Sequence, residues 1–412
     1  MDTRATQPHV RASLAIGIGL IAAASVFLAF QRMIDLDVYR MGAWAALHGR
    51  NPYPMRLPYG GLQYTYTPFS TLVFIPIELL PQRLARGVDA AASMLALWFV
   101  VHQLLRRLLP SDRSHLLWSA GVAITTVAFW SEPVRKTLTF GQINLLLMLL
   151  VVVDLLILQR TRFGGSLIGI AAGIKLIPVI YIAYLLVTGR TREAVRASAV
   201  ATGTLVLGWI VLPTPTREYF TRYLLDTTRI GKVQTPVNQS LNGALARALH
   251  SVDAGHRAWF VAAALTLAVG LWCAARSYRA WGELAGLSIT AITGLLVSPI
   301  SWNHHWVWWI VPALVCARAA WDRTSTPLWV ATGLWTVTFF VVPFWLIPMQ
   351  HRHELHQSLF EMVRGSAYVI AGLALIGSVT AVHVRRLLGT RSDPVEVIDL
   401  RRTVDRVEQP SR

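Results

Sequence analysis

Apolar stretches close to the length of a bilayer crossing recur along the whole chain, at 14–30, 90–105, 145–158, 197–212, 259–275, 284–299 and 367–384. A helix of about 20 apolar residues spans the roughly 30 Å of hydrocarbon in a bilayer. A water-soluble fold has nowhere to bury so many of them. Composition agrees: hydrophobic residues make up 54% and charged residues 14% of the 412 positions, against about 25% charged in soluble chains. The expected fold class is an all-α polytopic membrane protein with about ten to twelve transmembrane helices.

The formal net charge of +17 does not point to nucleic acid, because the basic residues fall in short clusters between apolar stretches and not along one face. Arginine-rich connections mark the cytoplasmic side of membrane proteins. Here they are Arg106-Arg107-Arg113, Arg160-Arg162, Arg190-Arg192-Arg196, Arg276-Arg279, Arg318-Arg323 and Arg385-Arg386. The segments 34–67, 132–142, 213–256, 301–305 and 350–362 then face outward. Two stretches strain this parity. The stretch 69–80 is short for a crossing and reads as a half-inserted helix on the outer side. The stretch 164–187, with arginines at both ends and Lys175 and Pro178 at its middle, reads as a re-entrant or broken pair of half-helices lining a cavity. Gln31-Arg32 and further spans follow the first apolar stretch at once, so a retained span is expected there, not a cleaved signal peptide. Cys273 and Cys316 lie in apolar runs and read as packing residues. A multi-span domain is expected over 1–387, and 388–412 is expected to form a disordered cytoplasmic tail.

The densest polar cluster follows the first span: Ile34-Asp35-Leu36-Asp37-Val38-Tyr39-Arg40, then Gly49–Tyr53 and Tyr64-Thr65-Tyr66-Thr67-Pro68. Val38, Met41, Ala45 and Leu47 can form an apolar side on which this segment lies flat in the interface. Asp35 and Asp37 then either cap that helix or supply a general base for an attacking hydroxyl. A second cluster is Ser298-Pro299-Ile300-Ser301-Trp302-Asn303-His304-His305-Trp306. Its histidines fit hydrogen-bond donation to an anion better than zinc, since no further His or Cys stands at a familiar ligand spacing. Lys175 lies inside an apolar segment, where a cation is a functional hypothesis by default; a structural pair with Asp154 is the other reading. Arg135, Gln142, Asn144, Asn238 and Gln239 add polar groups in the outward segments, with loop-capping by the amides as the plainer role. Asn238-Gln239-Ser240 also matches a glycosylation sequon.

Together these motifs resemble glycosyltransferase family 87, the bacterial polyprenol-phosphate-mannose-dependent mannosyltransferases of GT-C type. The resemblance rests on Asp-Leu-x-Val-Tyr at 35–39, Gly-x-x-Pro-Tyr at 49–53, Tyr-x-Tyr-x-Pro at 64–68 and Phe-Gly-Gln-x-Asn at 140–144. It continues through Lys-x-x-Pro at 175–178, Asn-Gln-Ser at 238–240 and Ser-Pro-x-Ser-Trp-x-His-His-Trp at 298–306. It implies a GT-C fold and a plasma-membrane enzyme that works on the extracytoplasmic face. Such an enzyme moves mannose with inversion from a polyprenyl-phosphate-mannose donor to a glycolipid acceptor, with α-1,2 linkage to phosphatidylinositol mannoside or lipomannan favoured. Asp35 holds the family's aspartate position and is the expected base, with Asp37 as alternative. His304, His305, Lys175 and Arg135 are expected at the donor phosphate, and Gln142, Asn144, Asn238, Gln239, Tyr39, Tyr64, Tyr66 and Trp302 elsewhere in the substrate site. No cofactor, metal site or nucleic-acid partner is expected. An arabinofuranosyltransferase with a polyprenyl-phosphate-arabinose donor and a lipid or solute transporter are the alternatives.

Overall fold

The computed structural model describes residues 3–110, 116–341, 343–349 and 353–388; the expected tail lies, beyond Leu388, outside the described residues. Among these residues the regular structure is helical, with two isolated β-bridges. All seven apolar stretches fall in helices, and the connections between helices gather at two ends.

One end collects the arginines. Arg190 pairs with Glu283 at 2.8 Å, Arg318 donates to the Leu108 carbonyl at 2.7 Å, Arg279 to the Val187 carbonyl at 3.2 Å, and Arg107 to the Leu156 carbonyl. The other end collects the outward segments. Asn51 donates to Glu218 at 2.7 Å, Arg229 to the Tyr53 carbonyl at 2.5 Å, Arg247 to the Gly365 carbonyl at 3.0 Å, and Asn303 to Glu132. The chain thus separates its basic connections from its histidine-, tyrosine- and asparagine-rich ones.

From the basic end α1 (Thr3–Ala29) rises, and α2 (Ile34–Leu47) sits at the polar end beside α3 (Pro68–Val73) and α4 (Ile75–Glu78). Helix α5 (Gln82–Leu108) descends, α6 (Leu117–Phe129) rises, and α7 (Glu132–Phe140) turns by 112° into α8 (Asn144–Val153), which a π-turn at Asp154–Leu158 prolongs downward. Helices α9 (Ser166–Ile174) and α10 (Val179–Val187) rise and turn back, and α11 (Thr191–Val211) rises. At the polar end lie α12 (Pro213–Glu218) and α13 (Leu241–Ala248), before α14 (Val252–Trp281) descends and α15 (Glu283–Val297) rises. A 3-10 segment, Asn303–Trp309, leads down into α16 (Ile310–Asp322); α17 (Thr326–Val341) rises, α18 (Leu359–Gly365) stays at the polar end, and α19 (Ala367–Leu387) descends.

Nine described helices, α1, α5, α6, α11, α14, α15, α16, α17 and α19, therefore connect the two ends, and the bent α7–α8 pair makes a tenth passage. Six described helices are by themselves long and apolar enough to cross a membrane, or seven with the bent α7–α8 pair. That is fewer than the expected ten to twelve, because α6 and α15 are shorter and α16 is prolonged by a 3-10 turn.

The two irregular stretches resolve by contact. Thr67 at the start of α3 donates to the Gly173 carbonyl, while Arg40 of α2 holds Glu78 at 2.8 Å and the Leu80 carbonyl at 3.0 Å, so 69–80 leaves and rejoins the polar end. Stretch 164–187 begins and ends at the basic end, where the Arg160 N–H donates to Glu193 and Arg190 pairs with Glu283. Pro178 has no N–H to donate, and the helix stops before it, leaving Lys175 extended at φ −144° and ψ 135°. Asp154 does not pair with Lys175. It accepts the N–H groups of Gly165 at 2.6 Å and Ile168 at 2.9 Å, satisfying the start of α9.

Candidate active site

Helix α2 is held from several sides, not by one apolar side alone. Leu36, Val38, Tyr39, Ala43 and Ala45 are buried, whereas Leu47 of the expected apolar side is exposed. Neither aspartate caps the helix, whose N-cap is Met33 without a side-chain bond. Two positions along a helix differ by about 200° in direction, and the two carboxylates meet different surroundings. Asp37 is buried against Tyr59, which donates to it, Gln82 at 3.4 Å and Arg86 at 3.4 Å. Asp35 instead faces the Gln142 amide and the Lys175 charge. Burial pushes the Asp35 pKa up to about 6; the Gln142 hydrogen bond and the Lys175 charge oppose that rise.

The α7–α8 corner delivers Gln142 to this place. Gly141 turns it at φ 68°, and a Cβ there would stand 2.6 Å from the Leu36 Cβ, so both backbone conformation and close approach demand glycine. Gln142 Oε1 accepts from the Tyr39 hydroxyl at 2.9 Å, and the Tyr66 hydroxyl lies 3.1 Å from the Tyr39 oxygen. Tyr64 is turned away into packing: fully buried, it bonds Ser70 at 2.5 Å and lies against Gly42.

Lys175 closes the cluster from below. Its Nζ donates to Asn144 Oδ1 at 3.2 Å, stands 3.2 Å from His305 Nε2, and lies 5.4 Å from the centre of the Tyr66 ring. The His304 carbonyl accepts from Asn144 Nδ2 and from the Thr137 hydroxyl, each at 2.9 Å. The buried nitrogens His304 Nδ1, His304 Nε2 and His305 Nδ1 have no partner among the described residues. Buried polar groups are normally satisfied, which marks these imidazoles as available to a ligand. Beside Lys175 a cleft runs between Asn144 and His305 on its polar side and Leu147, Ile180, Leu295 and Trp308 on its apolar side.

Five elements thus converge: α2 with Asp35 and Tyr39, the 64–67 loop with Tyr66, the α7–α8 corner with Gln142 and Asn144, the α9–α10 break with Lys175, and the 3-10 segment with His304 and His305. Other expected members stand apart. Arg135 is exposed, and its charge acts on Glu132, not on Asp35 or Lys175. Asn238 and Gln239 are fully buried and spent on backbone. Asn238 donates to the Val233 carbonyl at 2.9 Å and accepts from the Ser301 N–H at 3.0 Å, whereas Gln239 reaches the Gly365 carbonyl at 2.7 Å and the Tyr368 N–H at 3.1 Å. They fix the loop beneath the histidines, and the sequon asparagine is inaccessible. Trp302 pairs with Asn238 in a β-bridge.

Two residues that carry this scaffold had no signal in the motifs. Buried Glu132 accepts from Asn303, from Trp345 at 3.1 Å and from Tyr368 at 3.4 Å, anchoring the residue before His304. Arg247, fully buried, donates to the carbonyls of Thr235 at 3.0 Å, Asn238 at 3.2 Å and Gly365 at 3.0 Å. Among the described residues no three His, Cys, Asp or Glu side chains converge as a metal site.

The sequence matches the model of glycosyltransferase family 87 over residues 64–299. The chain belongs to glycosyltransferase family 87. Its all-helical membrane architecture is that of the GT-C glycosyltransferases. This family 87 chain is 32% identical over 358 residues to a polyprenol-phosphate-mannose-dependent alpha-(1-2)-phosphatidylinositol mannoside mannosyltransferase of Mycobacterium tuberculosis, covering 83% of each chain. It is 33% identical over 361 residues to a polyprenol-phosphate-mannose-dependent alpha-(1-2)-phosphatidylinositol pentamannoside mannosyltransferase of Mycolicibacterium smegmatis, covering 84% of each. A weaker likeness, 28% over 185 residues, joins it to an alpha-(1->3)-arabinofuranosyltransferase of Corynebacterium glutamicum and covers 44% of this chain and 42% of that one. No solved structure matches this family 87 chain.

Proposed function

We propose that this family 87 enzyme transfers mannose from a polyprenyl-phosphate-mannose donor to a phosphatidylinositol mannoside or related lipomannan acceptor, with inversion and α-1,2 linkage. The observation that carries the reading is that Lys175 joins the two halves of the cluster: its charge acts on Asp35 while its Nζ stands 3.2 Å from His305 Nε2, beside imidazole nitrogens that have no partner among the described residues. Near-full-length likeness to mannosyltransferases, against a partial one to an arabinofuranosyltransferase, supports mannose over arabinose.

In this reading Asp35 takes the proton of the acceptor hydroxyl as that oxygen bonds to the anomeric carbon. The bond from that carbon to the phosphate oxygen breaks on the opposite face, through an oxocarbenium-like state. The departing polyprenyl phosphate keeps the electron pair. No acid is needed for so good a leaving group; Lys175 and the imidazole N–H groups of His304 and His305 stabilise its charge. A carboxylate titrating at about 6 is ionised at neutral pH yet more basic than an ordinary aspartate. The polyprenyl tail follows the apolar side of the cleft, the polar end faces the extracytoplasmic side of the plasma membrane, and no cofactor takes part.

Membranes containing the protein, given radiolabelled mannosyl phosphoryl polyprenol and a phosphatidylinositol mannoside, test this. Label appears in an elongated glycolipid, and Asp35→Ala abolishes it while Asp37→Ala does not. Transfer only from an arabinosyl donor, or loss of transfer in Asp37→Ala alone, overturns the sugar or the base respectively.

A further inference from the structure

The polar end holds a second cavity, of about 380 Å³, between the loops 56–63 and 226–231. One wall is a tight turn. Arg56 and Gln63 pair as an antiparallel bridge, the Leu57 N–H donates to the Leu62 carbonyl at 2.9 Å, and Gly60 and Gly61 turn at φ 71° and 62°. In the other wall Asp226 accepts the Thr228 N–H at 3.1 Å and the Thr228 hydroxyl at 2.5 Å. Arg229 ties the walls to the core by donating to the carbonyls of Tyr53 at 2.5 Å and Tyr64 at 3.3 Å. The cavity is therefore built by backbone bonds and stands preformed.

Its chemistry is specific. Two guanidiniums, Arg56 and Arg229, line it together with one carboxylate, Asp226. Burial lowers the Arg229 pKa, and the Arg56 charge lowers it further while Tyr223 and Asp226 oppose, so the two cations are near enough to repel. Arg56 is exposed and spends one donor on the Gly61 carbonyl at 3.3 Å. Like charges held at one cavity favour an anion between them, whereas Asp226, Thr228 and the glycine backbone suit hydroxyl groups. Leu62 and Ile230 are the large apolar residues of a lining that is otherwise polar, charged or glycine.

Position adds the third element. A Cβ at Gly231, on the rim, would stand 2.9 Å from the Trp302 ring, and Trp302 is two residues before His304. On the other side Tyr64 meets the Tyr66 ring of the reaction cluster at 5.7 Å.

We propose that this cavity binds the head group of the acceptor as a phosphate-bearing polyol, with Arg56 and Arg229 on the phosphodiester and Asp226 and Thr228 on ring hydroxyls. The proposal rests on the mannosyl-transfer reading above and assigns its acceptor a site separate from Lys175 and the donor phosphate. It makes the phosphate of the acceptor a recognised group, not a passive anchor.

The test uses the full chain in lipid nanodiscs. Binding is measured for radiolabelled phosphatidylinositol dimannoside and for an alkyl dimannoside without phosphate, and the same discs are assayed for transfer. Arg56→Ala is expected to weaken the phosphate-bearing lipid about tenfold and leave the alkyl glycoside and the donor KM unchanged, with Arg56→Lys between. Thr228→Trp, which fills the cavity, is expected to weaken both. Wild-type affinity in Arg56→Ala and Thr228→Trp, or equal weakening of both ligands by Arg56→Ala, overturns the proposal. Binding with these variant effects but no mannosyl transfer by wild type refutes the transfer reading and leaves the site standing. Transfer with unaltered acceptor KM in both variants does the reverse.

Discussion

Gln142→Leu isolates the environment of Asp35. In the wild type Asp35 titrates at about 6 because burial outweighs the help that Gln142 and Lys175 give its charged form. A base must be deprotonated to act, so kcat/KM is expected on a plateau above that value and to fall about tenfold per pH unit below it. A hydrogen bond to a charged group is worth roughly 1.5–3 kcal/mol, and one pKa unit is about 1.4 kcal/mol. Removing the Gln142 amide therefore raises the midpoint by roughly one to two units. With a midpoint near 7, about one-eleventh of Asp35 is ionised at pH 6, against half in the wild type, so the variant loses roughly fivefold more of its plateau activity there. The assay is label transfer from mannosyl phosphoryl polyprenol between pH 5 and 9. An acid limb unmoved in Gln142→Leu, or a wild-type limb near 4, refutes the assignment of Asp35 as a half-buried base steadied by Gln142.

Asp35→Asn is expected to abolish transfer yet raise the thermal midpoint more at pH 7.5 than at pH 4.5, because a carboxylate raised from 3.8 to about 6 on folding destabilises the fold progressively between those values and fully above about 6; differential scanning fluorimetry in detergent at both values checks it. Asp37→Asn is expected to do the opposite, keeping kcat within about threefold while costing roughly 1–3 kcal/mol through the groups left facing it, Tyr59 and Arg86, and a kcat loss like that of Asp35→Asn would contradict it. Gly141→Ala sets a positive φ against a Cβ contact of 2.6 Å; it is expected to lose more than about 2 kcal/mol and most activity by moving the corner that carries Gln142. Arg247→Met removes the donor to the Thr235 and Asn238 carbonyls, while the Gly365 carbonyl keeps Gln239, at roughly 1 kcal/mol or more for each carbonyl left unpaired, and is expected to lower folded yield in size-exclusion chromatography.

The helices were legible because hydrocarbon demands one signal, an apolar run, and all seven runs became helices. The two ends were legible from arginine placement, since the connections that carry arginines contact each other. Lys175 stood out because a lysine inside an apolar run has few reasons to be there, and the proline three residues on explains the break. The choice between Asp35 and Asp37 was not legible. It depends on which face of α2 meets Arg86 and Tyr59, and those partners come from other elements at separations no local pattern encodes. Asn238 and Gln239 look in sequence like any polar loop pair, and only the fold shows their amides spent on carbonyls. Arg247 and Glu132 escaped for a related reason: each is a charged residue on a short helix that reads as solvated, yet the fold closes over it.

The break at Lys175 bears on where in the membrane the sugar changes hands. Helix α9 has nine residues and climbs only roughly 13 Å at about 1.5 Å per residue, less than half the hydrocarbon thickness of about 30 Å. The Lys175 side chain then reaches Asn144 at the top of α8, at 3.2 Å, so in the proposed reaction a phosphate held there is met between the helices and approached from the polar end. In the proposed reaction the sugar phosphate then lies among half-buried and buried side chains, where the acceptor hydroxyl meets less competition from water for the anomeric carbon.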